Sequence, residues 1–126
     1  MAITKTIRID GKDVPFRASA AIPRLYRNRF QRDIYKDLRE LAKSIDGKDP
    51  EQSNLDAFSL ELFEDISYVM AKHAAPDDVP NTPEEWLDVF STFSIYQVLP
   101  EIITLWGLNL QSEVESKKNI ALLNAR

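Results

Sequence analysis

The hydrophobic period of this chain changes once, near residue 18, and does not change back. Before that point the period is two. Ile7 and Ile9 alternate with Arg8, and Val14 and Phe16 alternate with Pro15 and Arg17 in "ITKTIRIDGKDVPFR". Asp10-Gly11 between the two runs is a turn signal, so residues 3–17 read as a two-stranded hairpin with one apolar face. Pro15 brings no backbone donor and suits an edge strand. No third strand follows, and a lone hairpin is marginal in water. Its apolar face has to be covered by helices. The expected class is therefore α+β and mostly helical: an N-terminal β-hairpin followed by about four α-helices in one compact domain over residues 1–110.

The helices are expected at about residues 22–45, 55–75, 83–93 and 95–110. In the first, Tyr26, Phe30, Ile34, Leu38, Leu41 and Ile45 fall on one stripe. Ser19 or a neighbour is the expected cap, and Pro23 suits the first turn. Gly47 and Pro50 stop that helix. In the second, Leu55, Phe58, Leu62, Phe63, Ile66, Val69 and Met70 share an arc, with Ser53 or Asn54 as cap. The third opens on a capping box, with Thr82 before Pro83 and Glu85 three residues on, and buries Trp86, Leu87, Val89, Phe90 and Phe93. In the fourth, Ile95, Val98, Leu99, Ile102, Ile103, Leu105 and Trp106 cover more than half the circumference. Such a helix is either central to the core or offers surface to a partner. Pro100 is expected to kink or restart it.

Charge and composition narrow the function by exclusion. A net charge of -4 over 126 residues argues against general affinity for nucleic acid or acidic membranes. No run approaches the ~18 apolar residues of a membrane span, and "MAITKTIRIDGK" does not read as a signal peptide. With no cysteine, disulfides and thiolate metal sites are excluded. Catalysis needs converging groups. There is one histidine, His73, with no companion ligand or base nearby, and it reads as a partly buried helix-end residue. The chain has three glycines and no phosphate-cradling loop. No enzyme activity, catalytic residue, metal or cofactor is expected.

Two surfaces stand out as candidate partner sites. One is the excess apolar surface of the last helix around Tyr96, Ile103 and Leu108, with the third helix beside it. The other is a basic strip on the first helix, Arg29, Arg32, Lys36, Arg39 and Lys43, beside an acidic strip of Asp33, Asp37 and Glu40. The plain reading of the strip is a solvated face partly neutralised by its own acids. Charge introduced on the last helix should abolish partner binding if that surface is used, whereas salt-sensitive binding favours the strip.

The order of these features carries a resemblance. "IRIDGKDVPFRAS" leads into "PRLYRNRFQRDIYKDLREL", and later comes "TPEEWLDVFSTFSIYQVLPEIITLW". Together, over roughly Ile3 to Trp106, they resemble the tail assembly chaperones of long-tailed, siphovirus-like phages and prophages of Gram-positive bacteria. The resemblance implies a protein that binds the long, apolar tape measure protein, keeps it soluble and helps recruit tail tube subunits. It implies residence in the cytoplasm of the bacterial host and absence from the mature virion. In such families a minority of ribosomes slip near the end of the gene, and the longer product contacts the tube protein. Self-association is compatible with the family; nucleic-acid and membrane partners are not expected. The rival readings are a head–tail connector or tail completion protein that stays in the particle, or a bacterial protein-interaction adaptor.

The resemblance also bears on the ending "SKKNIALLNAR". Residues 111–126 are expected to be flexible or weakly helical, because Val114, Ile120, Leu122 and Leu123 form no strong amphipathic face. Lys117-Lys118-Asn119 can be encoded by a run of adenines ending in cytosine. Such a run is a slippery site, which would mark the frameshift position.

Overall fold

The computed structural model describes residues 2–45 and 56–107. Strands β1 (Ile3–Ile9) and β2 (Lys12–Ala18) pair antiparallel, from Ile3 opposite Ala18 to Ile9 opposite Lys12. The turn is left-handed at both Asp10 (φ 52°) and Gly11 (φ 75°), the geometry of a tight hairpin turn. Ile7, Ile9, Val14, Phe16 and Ala18 bury one face. Helix α3 (Ala57–Ala74) lies under β2, and α5 (Ile95–Trp106) meets β1. The tip is tied down as well: Asp10 Oδ2 accepts from the Ser91 N–H at 2.8 Å, and Gln97 Nε2 donates to the Arg8 carbonyl at 3.0 Å. The α+β, mostly helical expectation holds.

The single helix expected over 22–45 is two helices, α1 (Ile22–Phe30) and α2 (Ile34–Ile45). Gln31 turns left-handed (φ 61°) and its N–H closes on the Arg27 carbonyl at 2.8 Å. Asp33 then accepts from the Tyr35 N–H at 2.9 Å and restarts the chain. The reason lies in Asp37. In an unbroken helix Tyr26 and Asp37 would stand ~16 Å apart along the axis. With the break, the Tyr26 hydroxyl donates to Asp37 Oδ2 at 2.7 Å, and Arg32 donates from Nε and Nη2 to the two carboxylate oxygens, each at 2.8 Å. Asp37 is 1% exposed. The acidic strip is corrected accordingly: Asp37 is a buried, fully bonded carboxylate, not a solvated one. Burial first, and the bond to Asp37 second, hold the Tyr26 hydroxyl far above its ordinary pKa.

Helix α3 is the central element. Leu62, Phe63, Ile66, Tyr68, Val69 and Met70 are all buried, and the Ser67 hydroxyl donates to the Phe63 carbonyl at 2.7 Å. Its cap is Asp56, which accepts from the Ser59 N–H at 2.8 Å. The caps expected from sequence, Ser53 and Asn54, lie outside the described residues. Phe58, expected on the buried arc, is 54% exposed and sits under the Arg32 guanidinium at 5.0 Å.

Helix α4 (Pro83–Leu87) opens on the expected box: Thr82 Oγ1 accepts from the Glu85 N–H and donates to its Oε1. It ends six residues before the expected 93, because the N–H groups of Val89 and Phe90 bond three residues back and tighten the chain. That tightening leaves Val89 exposed and brings Phe90 and Phe93 edge-on to Trp86, at 5.4 and 5.1 Å. Helix α5 runs through Pro100 rather than restarting there, and stops at Gly107 (φ 72°), short of the expected 110. A left-handed glycine at this position is a common helix stop.

Candidate functional site

The apolar breadth of α5 is committed mainly to the core. The helix meets β1, α2 and α3 together. Ile95, Val98, Leu99 and Ile102 are buried, and Ile103 is half-buried against them. Tyr96 is 37% exposed, and Leu108 lies outside the described residues. Trp106 Nε1 donates to the Met70 sulfur at 3.3 Å, and its ring meets Tyr35 edge-on at 5.8 Å. The spare surface expected here is therefore a narrow margin.

The basic strip does not stay together. Arg32 is bound up with Asp37, whose carboxylate holds its guanidinium pKa above the ordinary value. Lys36 and Arg39 are exposed on α2, beyond the break. Arg29 stays on α1 and faces α3. Its guanidinium lies 4.9 Å over the Tyr68 ring and donates to the Asn81 carbonyl at 2.7 Å.

Arg29 stands at one wall of a groove of about 440 Å³ between α1 and α3, which sequence reasoning did not anticipate. Leu25, Asn28 and Arg29 come from α1. Tyr68, Val69, Lys72 and His73 come from α3, and Pro76 from the turn that follows it. Each wall presents residues at i, i+3 and i+4, one face of a helix. The lining is mainly apolar, with Arg29 and Lys72 as its charged members. Leu25 is 42% exposed although it stands between two buried positions, Ile22 and Tyr26. The Lys72 ammonium donates to the carbonyls of Pro76 (2.9 Å) and Val79 (2.6 Å) and to Asn81 Oδ1 (3.2 Å). His73 Nε2 lies 3.4 Å from the Ser19 hydroxyl, at the half-buried end of α3. In sequence Leu25 is an apolar residue beside the Ile22 and Tyr26 stripe of a helix carrying Arg24, Arg27 and Arg29, and nothing there pairs it with Val69.

The acids of α3 gather next to this groove. Asp65 is half-buried, and its carboxyl is pushed up to about 7, first by burial and then by Glu61, Glu64 and Glu84, while Arg29 pulls it down. Glu64 is also raised, by burial and by Glu61. Among the described residues no group of three or more acidic, histidine or cysteine side chains has metal-binding geometry. Among them, no helix is long and apolar enough to cross a membrane. Lys117, Lys118 and Asn119, the expected frameshift position, lie outside the described residues.

No protein-family model, curated protein or solved structure matches the chain.

Proposed function

We propose that this protein is a phage tail assembly chaperone. It binds apolar helical segments of a tape measure protein and keeps them soluble until tail tube subunits assemble around them. The observation that carries the reading joins sequence to geometry. The stretch "PRLYRNRF", one of the specific parts of the resemblance, is α1, and α1 is one wall of the open groove. A chaperone of this kind needs an exposed apolar surface that accepts an amphipathic helix and lets it go. A modest groove bordered by charge suits reversible docking better than a large apolar interface does.

In this reading the chain works in the bacterial cytoplasm and leaves the tail before the particle is complete. A longer product, diverging at Lys117-Lys118-Asn119, carries the contact to the tube protein.

Co-expression with the tape measure protein of its own phage or prophage tests the proposal. The tape measure should stay in the soluble fraction and co-purify with the chain, and mass spectrometry of finished particles should find the chain nearly absent. An insoluble tape measure, or stoichiometric chain in the particle, would replace this reading with that of a connector or completion protein.

A further inference from the structure

We infer that the groove between α1 and α3 seats a helical segment whose large apolar side chain is bordered by carboxylates. The inference rests on the reading of the chain as a binder of apolar helices and adds the surface and the charge of the segment bound. It is carried by a local reversal of charge. The chain as a whole has a net charge of -4, yet the groove lining holds Arg29 and Lys72 and no acid. Helix α1 carries three arginines and no carboxylate.

The two strong cations are also held in place. Asn81 takes Arg29 on its backbone carbonyl and Lys72 on its side-chain oxygen. The remaining Lys72 bonds go to carbonyl oxygens, and the Arg29 guanidinium rests on Tyr68. Among the described residues neither cation forms an ion pair within 4 Å. Both are therefore held among apolar lining residues before any partner arrives. Less side-chain freedom remains to be lost on binding. Asp65, the acid that Arg29 acts on, and Glu84 and Glu85, which act on Tyr68, do not line the groove.

The groove is open rather than enclosed. That fits a side chain projecting from a larger partner better than an enveloped small molecule. A nucleic acid would need a run of cations tracking phosphates, and a mainly apolar lining with two cations does not supply one.

Fluorescence anisotropy of the whole chain with three labelled helical peptides tests the inference. One has an apolar stripe bordered by glutamates, one the same stripe bordered by lysines, and one the glutamates with the stripe replaced by serines. The first should bind about tenfold or more tightly than either of the others, and its affinity should fall as salt is raised. Leu25→Glu, at an exposed site, should weaken it by at least about tenfold with the circular dichroism melt unchanged. Arg29→Gln should flatten the salt dependence, and Lys36→Glu on α2 should stay within about twofold of the parent. Equal binding of the glutamate and lysine peptides would overturn the inference, as would full binding by Leu25→Glu or displacement of the peptide by a short oligonucleotide. A groove that takes the peptide in a chain that ignores the tape measure protein would remove the chaperone reading alone. A tape measure complex that tolerates Leu25→Glu would remove the groove alone.

Discussion

Helices α5 and α1 have opposite fates. By sequence α5 is the more apolar, with an apolar arc wider than a single neighbour can cover. The fold gives it three neighbours, the hairpin, α2 and α3, and most of its apolar arc is buried in the core. Helix α1 looks like a solvated arginine-rich element with one buried stripe. Yet it leaves an apolar residue, Leu25, facing an open groove. Apolar breadth on a helix reports how many neighbours it has. Apolar surface left open shows instead as a residue at the edge of the stripe, as Leu25 is.

The largest effect should come from the α5 side. Ile102 is fully buried, so Ile102→Ala should lower the unfolding free energy by about 3 kcal/mol in urea or guanidinium titrations. A loss below about 1 kcal/mol would mean that α5 is not committed to the core and that its face is free after all.

Next comes the anchor that sets α1. Asp37→Asn removes the negative charge and turns one of the two acceptor oxygens shared by Arg32 and the Tyr26 hydroxyl into a donor, at a site 1% exposed, and should cost about 2 kcal/mol. Asp37→Asn melting at the parent temperature would show that the break at Gln31 is held by something else.

A smaller effect belongs to the acids beside the groove. The folded-state pKa of Asp65, about 7, lies above its ordinary value of 3.8, so folding favours the protonated form. Its cost is absent below about pH 4 and complete above about pH 7, and this contribution to stability is lost as pH rises between them. Because the group is half-buried and screened by solvent, Asp65→Asn should add no more than about 1 kcal/mol at pH 8 and nothing at pH 4. Thermal melts of both chains across that range would reveal the difference, and parallel curves would contradict it.

Much of the fold is legible in the sequence. The hairpin was readable because Asp10-Gly11 and a strict period of two leave few alternatives. The start of α4 was readable because Thr82 and Glu85 are a reciprocal cap. The lower half of α3 followed from Phe63, Ile66 and Met70. The break between α1 and α2 was not readable. Gln31 is an uncommon left-handed residue, and the stripe Tyr26, Phe30, Ile34 runs across it without a fault. What decides the matter is a tertiary bond from Tyr26 to Asp37. The basic strip is divided for the same reason, since it assumes one helix where there are two. The groove was unreadable because it exists only where Leu25 and Val69, on separate helices, come together.

The smallest expected change in stability falls where the largest change in binding is expected, at Leu25. Site-specific photocrosslinking compares the two regions directly. A benzophenone side chain is placed at Leu25 in one chain and at Tyr96 in another, both exposed positions, in cells that also make the tape measure protein. If α1 and α3 form the docking surface, the Leu25 probe yields the crosslinked product and the Tyr96 probe does not. A product from Tyr96 alone would move the docking surface back to α5.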